Sequence, residues 1–254
     1  MRKTAATIPP DYQCASDALR GRTIMITGAS DGIGRSAALS YAAHGATVIL
    51  LGRSVEKLEA VYDEVEALGA PRPAAVPFDL EQDDEAAYEE LARVIGEQFP
   101  VLDGLLLNAG ILGERRPLGQ QRWNDWQRVM HVNVNSQFLT VRALLPLLDA
   151  APAASVVFTS SGVGRRGKAY WGAYAVSKFA TEGMMEVLAS EMENTSAMRV
   201  NAINPGATNT AMRRAAYPAE SPDSNPGPED IMATYLYLMD SASEGVNSCS
   251  FDAQ

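Results

Sequence analysis

The sequence predicts an α/β fold: a doubly wound parallel sheet of about seven strands, with helices on both faces, in a single domain. Three observations predict it. Short apolar runs alternate with stretches of helical apolar spacing from residue 23 to residue 203, the pattern of a parallel sheet covered on both sides. The first apolar run ends in a glycine-rich turn that opens a helix. The chain has 254 residues, 46% of them hydrophobic, enough for one substantial core.

Residues 1–20 are polar, contain Pro9-Pro10, and read as an arm ahead of a domain spanning 21–254. Thr23–Thr27 is a buried strand, followed by a helix from Ile33 to Ala43 that Gly45 ends. Thr47–Leu51 is the second strand. Leu58, Val61, Tyr62, Val65 and Leu68 then recur at helical spacing among charges. Further strands are expected at 74–78, 102–107, 155–159 and 199–203, with helices at 85–98, 122–148 and 173–193 between them. The stretch Arg213–Pro228 breaks this rhythm. It is rich in Pro, Ser, Ala and acids, and residues 211–228 are expected to form a mobile lid. Pro228 suits the first turn of a helix that runs to about Met239.

Composition narrows the function classes. A formal charge of −10 argues against a nucleic-acid surface. No apolar run approaches the ~20 residues a membrane helix needs, and the first ten residues lack the apolar stretch of a secretory signal. Cys14 and Cys249 show no redox or metal spacing, and His44 and His131 stand alone. A cytoplasmic protein without a metal site is expected.

Gly28, Gly32 and Gly34 lie between the first strand and first helix. Their spacing is G-x-x-x-G-x-G, not G-x-G-x-x-G. Either they form a plain turn, or they let the backbone approach a pyrophosphate whose charge the helix amino terminus meets. Asp79, after the third strand, either accepts from an adenine amino group or caps the next helix. Asn108-Ala109-Gly110 ends the fourth strand, where ligands sit in open α/β sheets. Asn133, inside a helical pattern, needs hydrogen-bond partners if buried. Ser161 follows the fifth strand, thirteen residues before Tyr174. Tyr174 and Lys178 are four apart and share a helix face, and a nearby positive charge lowers a phenol pKa from its usual value of about 10. Pro205-Gly206, with Thr208 and Thr210, offers a turn with hydroxyls suited to an amide.

In this order along the chain, Thr27–Gly34, Asn108–Gly110, Asn133, Ser161, Tyr174/Lys178 and Pro205-Gly206 resemble the short-chain dehydrogenase/reductase family, in its single-domain Rossmann branch of about 250 residues. The resemblance runs from about Gly21 to Met239. It implies an oxidoreductase that moves a hydride between a nicotinamide and a small or medium carbonyl/alcohol substrate. Tyr174 would be the general acid/base, and Lys178 would lower its pKa and hold the nicotinamide ribose. Ser161 would position the substrate oxygen, Asn133 would complete a proton relay, and Thr208 would bind the carboxamide. The implied cofactor contacts are Gly28, Ser30, Asp31, Gly32, Ile33, Gly34, Arg53, Asp79, Leu80, Asn108, Ala109, Gly110, Tyr174, Lys178, Pro205, Gly206, Thr208 and Thr210. A homodimer or homotetramer formed through helices 122–148 and 173–193 is also implied. A dinucleotide-binding sensor or scaffold without catalysis is the rival reading, and such a protein need not keep all four catalytic residues. An epimerase or dehydratase on the same fold is usually longer.

Three departures from the family pattern stand out. Leu107 precedes Asn108 where a second Asn is usual, and the end, Ser248–Gln254, lacks a closing Gly-Gly. That ending and the amino-terminal arm resemble the YciK-like bacterial branch. The third concerns the cofactor: Gly52 and Arg53 stand where an NAD enzyme carries an acid, so no carboxylate opposes a 2′-phosphate. Arg53 suits that phosphate, with Ser30 adding a hydroxyl, and NADP(H) is expected in preference to NAD(H). The simpler alternative pairs Arg53 with Glu56 or leaves it in solvent. Ile111, Leu112, Arg165, Arg166, Tyr170 and Trp171 are expected to line the substrate pocket. Arg165 and Arg166 read either as an anion-binding pair or as solvated surface.

Overall fold

The computed structural model describes residues 5–254. Strands β1 (Thr23–Thr27), β2 (Thr47–Gly52), β3 (Ala74–Pro77), β4 (Gly104–Leu107), β5 (Ser155–Thr159), β6 (Arg199–Asn204) and β7 (Ser250–Asp252) form one parallel sheet in the order β3-β2-β1-β4-β5-β6-β7. The order reverses between β1 and β4, which opens a crevice at the carboxyl ends of those strands.

Alternation along each strand divides the core. Ile24, Ile26, Val48 and Leu50 face one side, where α1 (Gly32–Ala43) and α2 (Val55–Ala67) lie. Met25, Ile49, Leu51, Leu105 and Leu107 face the other, against α3 (Glu85–Gln98). Each fully buried aliphatic side chain contributes about 1.5–3 kcal/mol, so both faces are held by the same apolar periodicity. Asp31, Ser54 and Asp84 cap these three helices, each accepting a backbone N–H of the first turn.

The expected helix over 122–148 is interrupted. It consists of α4 (Trp123–Met130), a π-helical turn at His131–Asn135, and α5 (Ser136–Asp149). Such turns often occur at functional sites, and this one carries Asn133. After β5 come a single helical turn, α6 (Gly162–Arg165), and the long α7 (Gly172–Met192). The expected irregular lid contains α8 (Ala211–Ala216), capped by Thr210, and a 3₁₀ turn at Pro222–Ser224. Arg213 bonds both oxygens of Glu220 at 2.6 Å and so ties the helix to the chain beyond it. The last expected helix begins as a 3₁₀ turn at Pro228–Ile231 before α9 (Met232–Met239).

Strand β7 lies in the segment without Gly-Gly, and only Phe251 of its three residues is fully buried. The described part of the arm covers this edge. Ala6 donates to the Ser250 carbonyl at 2.9 Å and accepts from Asp252 at 3.1 Å, which removes an open sheet edge. Leu19 is fully buried in the α1/α2-side core, and Tyr12 donates to Asp240 at 2.9 Å.

Candidate active site

The carboxyl ends of β1 to β6 open on a cleft of about 600 Å³. Of the catalytic and cofactor residues expected from sequence, all but Gly34 and Asn133 line it. Gly28 holds φ at +68°, and a Cβ there would lie 3.1 Å from Ala109 Cα. The β1 and β4 turns are therefore packed backbone to backbone. Thr27 locks them together, its hydroxyl accepting from Asn108 N at 3.0 Å and Ala109 N at 3.1 Å. Gly34 faces inward, where a side chain would run into the Gly28 carbonyl and Asn108. Its role is packing of helix on strand.

At the far end of the cleft, Arg53 bonds Glu81 at 3.2 Å rather than Glu56, and Arg128 bonds the same carboxylate at 2.6 Å. Arg128 holds the Glu81 pKa below its usual value. Lys57 was not anticipated. It pairs with Asp31 at 2.9 Å and, with Ser54, Phe78 and Glu81, lines this end. The first turn of the helix after β2 always abuts this crevice, so its cationic and hydroxyl residues were the signal available. Asp79 does not cap α3, a task taken by Asp84. It accepts from Glu81 N at 3.1 Å.

Asn133 is fully buried behind Gly110. Its Oδ1 accepts from Ile111 N at 2.8 Å, while Nδ2 donates to Ile111 O at 2.9 Å and Ser177 Oγ at 3.0 Å. Two of these bonds tie the π-helical turn to the loop after β4, and the third ties it to α7. The side-chain polar atoms of Asn133 are thus engaged within the protein.

Ser161 caps α6, and Tyr174 and Lys178 lie on α7 facing the β5 end. Lys178 is buried and donates to Thr159 O at 2.8 Å, with its ammonium 5.7 Å from the Tyr174 ring centroid. Burial draws the lysine pKa down to about 8 and pushes the tyrosine up to about 12, with Ser161 opposing the second shift. Lys178 is not among the influences on the phenol's shift. Desolvation dominates that shift, and the ammonium is committed to a carbonyl and itself easily deprotonated. The phenol is therefore held as a proton donor at neutral pH.

Beyond Tyr174 the cleft is apolar. Leu112, Val163, Trp171, Met212 and Ala216 surround the phenol. Pro205 O accepts from Thr208 Oγ1 at 3.1 Å and from Gln254 Nε2 at 2.7 Å. Arg165, Arg166 and Tyr170 do not line the cleft. Arg165 is a clamp, bonding Asp252 at 2.7 Å, Phe251 O at 2.8 Å and Glu182 at 3.3 Å. Tyr170 is exposed, at φ +71°. Among the described residues no group of His, Cys, Asp and Glu is arranged to hold a metal, and no helix is long and apolar enough to cross a membrane.

Comparison with known proteins agrees with this geometry. Residues 22–221 match the family model described as short chain dehydrogenase. The uncharacterized oxidoreductase YciK of Escherichia coli K12 is 51% identical over 243 residues, covering 96% of each chain. A short chain dehydrogenase from Pseudomonas syringae superposes with a TM-score of 0.94 at 53% identity, covering 96% of this chain and 99% of that one. A short chain dehydrogenase from Shigella flexneri 2a, complexed with NADP, superposes with a TM-score of 0.92 at 50% identity, covering 94% of this chain and 100% of that one. With its sheet order, its glycine turn and a tyrosine and lysine at the head of the cleft, this chain belongs to the short chain dehydrogenase family of oxidoreductases.

Proposed function

We propose that the protein is an NADP(H)-dependent oxidoreductase that interconverts a carbonyl and an alcohol on a small or medium molecule. One observation carries the reading: Ser161, Tyr174 and Lys178 converge at an apolar recess of the same cleft that holds the glycine turn. The residues present fit the dinucleotide. The Gly28 turn leaves no side chain between backbone and ligand, the α1 amino terminus faces the cleft, and Arg53 and Lys57 supply cations where a 2′-phosphate would sit. The Shigella flexneri relative, complexed with NADP, supports that choice.

The bound cofactor supplies the hydride. The chain supplies orientation and a proton. Ser161 donates to the substrate oxygen and fixes it beside Tyr174. Tyr174 gives its phenolic proton to that oxygen as negative charge develops, and takes it back in the reverse direction. Lys178, between Thr159 and the ring, bonds the nicotinamide ribose and stabilises the phenolate left behind. Asn133 keeps the β4 loop and α7 in register. Residues 211–228 cover the substrate, with α8 as the moving piece. Exposed Phe138 on α5 and Val176, Phe179 and Val187 on α7 form the contact of a homodimer or homotetramer. Sedimentation as a 27.2 kDa monomer at micromolar concentration would defeat that assembly.

Tyr174→Phe tests the chemistry. Proton transfer is worth typically ~10²–10⁴-fold. Single-turnover reduction should fall by that factor while NADPH affinity stays within about twofold, because the ring still packs. Full activity in the variant would remove the mechanism.

A further inference from the structure

Three loops distant in sequence meet at Tyr217, on the outer rim of the apolar recess. Arg115, from the loop after β4, lies against the adjoining rings of Trp171 and Tyr217, whose centroids are 6.0 Å apart, its guanidinium carbon 4.7 Å from the first and 4.9 Å from the second. One of its nitrogens donates to the Ala216 carbonyl. Lys168, from the loop before α7, donates to the Tyr217 hydroxyl at 3.0 Å. Arg213 covers the Tyr217 ring at 3.9 Å. The acids nearby are already occupied, Glu220 with Arg213 and Glu114 with Arg116 and Arg122. Among the described residues no carboxylate pairs with Arg115 or Lys168. In a chain of net charge −10, two uncompensated cations at the mouth of an apolar recess are not accounted for by the surface average. A second observation points the same way. The Trp171 indole nitrogen, on a residue that lines the recess and is only 8% exposed, has no hydrogen-bond partner among the described residues. A buried donor without an acceptor costs about 1–3 kcal/mol, and a ligand oxygen would relieve it once the ring turns its nitrogen towards the recess.

We propose that the substrate is an anion: a carbonyl compound whose apolar or aromatic body fills the recess and whose carboxylate or phosphate is received by Arg115 and Lys168. The span is suitable. The Trp171 ring against which Arg115 lies is itself 5.7 Å from the Tyr174 ring, so the proton donor and the cation flank the same side chain. Contact with the two rings and the bond to the Ala216 carbonyl hold the guanidinium at the rim, and its remaining N–H groups can make charge-assisted hydrogen bonds to an anion. This assignment rests on the carbonyl-reducing reading of the same cleft, and the test separates the two.

The probes are 4-formylbenzoate, 4-formylphenyl phosphate and the neutral 4-formylbenzamide. Binding is read by tryptophan fluorescence with no turnover, and NADPH oxidation is followed separately. At least one anion should bind tenfold or more tightly than the amide, and the better anion identifies the group. In Arg115→Gln/Lys168→Gln that ratio should fall to about one, and Arg115→Lys should keep part of it. A rim that merely latches α8 would weaken all three probes together and leave the ratio intact. That result, or equal affinities in the native protein, overturns the anion site. A large ratio without reduction of any probe upholds the site and refutes carbonyl reduction instead.

Discussion

The two ends of the cleft are built differently. The glycine-turn end is made of backbone: Gly28 against Ala109, Gly34 against the Gly28 carbonyl, and Thr27 bonded to two amides of the β4 turn. The recess end is made of side chains delivered by separate loops, with Arg115, Lys168, Trp171 and Tyr217 meeting over some hundred residues of sequence. A backbone-built site tolerates few residue types at fixed positions and suits a ligand that does not change. A site of loop side chains can be re-specified one residue at a time. The cofactor end should therefore break abruptly on substitution, and the recess end should change selectivity by degrees.

The largest expected effect lies where the two ends join. Lys178 is drawn down to about 8 from an unfolded value of 10.5. Between those values the unfolded chain binds a proton that the folded chain does not, so stability rises with pH across the window. Below it both states are charged and the full cost of burying the ammonium remains. The shift corresponds to something on the order of 3 kcal/mol. Tyr174 acts oppositely and later: its raised value, about 12, costs stability only above its ordinary value of 10.0. Thermal melts of the native protein and Lys178→Met from pH 7 to pH 10 should diverge, with only the native chain gaining the increment. Parallel curves would mean that Lys178 is not buried as a charge.

Gly34→Ala probes the backbone-built end. The added methyl meets the Gly28 carbonyl, and backbone has little room to yield. Overpacking of this kind costs about 1–3 kcal/mol. The midpoint in urea should fall accordingly, and NADPH affinity should fall with it. Gly119→Ala serves as the control, since nothing lies within 4 Å of a Cβ there. Equal stability of the two variants would show the turn to be looser than its contacts imply.

This contrast also explains what was legible in the sequence. Strands β1 to β6 and α3 follow from apolar periodicity, because burial on one or both faces leaves a repeating mark. The glycine turn, Asn108–Gly110 and Tyr174/Lys178 were legible because their spacing is local. β7 was not, since three residues with one buried side chain carry no period. The π-helical turn at 131–135 shifts the register by one residue inside an otherwise helical pattern, which composition does not record. The adjacent Arg165-Arg166 pair reads either as an anion site or as solvated surface, and Arg165 is spent on Asp252 and Glu182. Adjacency in sequence is a poor guide to which cation reaches a pocket. Arg115 and Lys168 meet at Tyr217, a contact that exists after folding.

Cofactor preference sharpens the comparison further, with the smallest expected effect. The end of β2 is backbone at Gly52 and side chain at Arg53, so both modes of construction meet within two residues. A Cβ on Gly52 would lie 3.3 Å from Ser30 Oγ and from Leu58 Cδ2, close enough that an introduced aspartate must displace Ser30 slightly. That carboxylate would accept a ribose 2′-hydroxyl and repel a 2′-phosphate. Arg53→Ala removes one cation from the same place but leaves Lys57, and it frees Glu81 to pair with Arg128 alone. The double variant Gly52→Asp/Arg53→Ala should shift the ratio of kcat/KM for NADPH over NADH by at least tenfold towards NADH, roughly 1.4 kcal/mol. Lys57→Ala added to it should move the ratio again, because the Asp31 carboxylate then loses its counter-ion near the phosphate. If the native protein already used NADH better, the assignment of Arg53 would fail while the proton chemistry at Tyr174 stood. An unchanged ratio in the double variant would place the 2′-phosphate on Lys57 rather than Arg53, and the triple variant would then carry the whole effect.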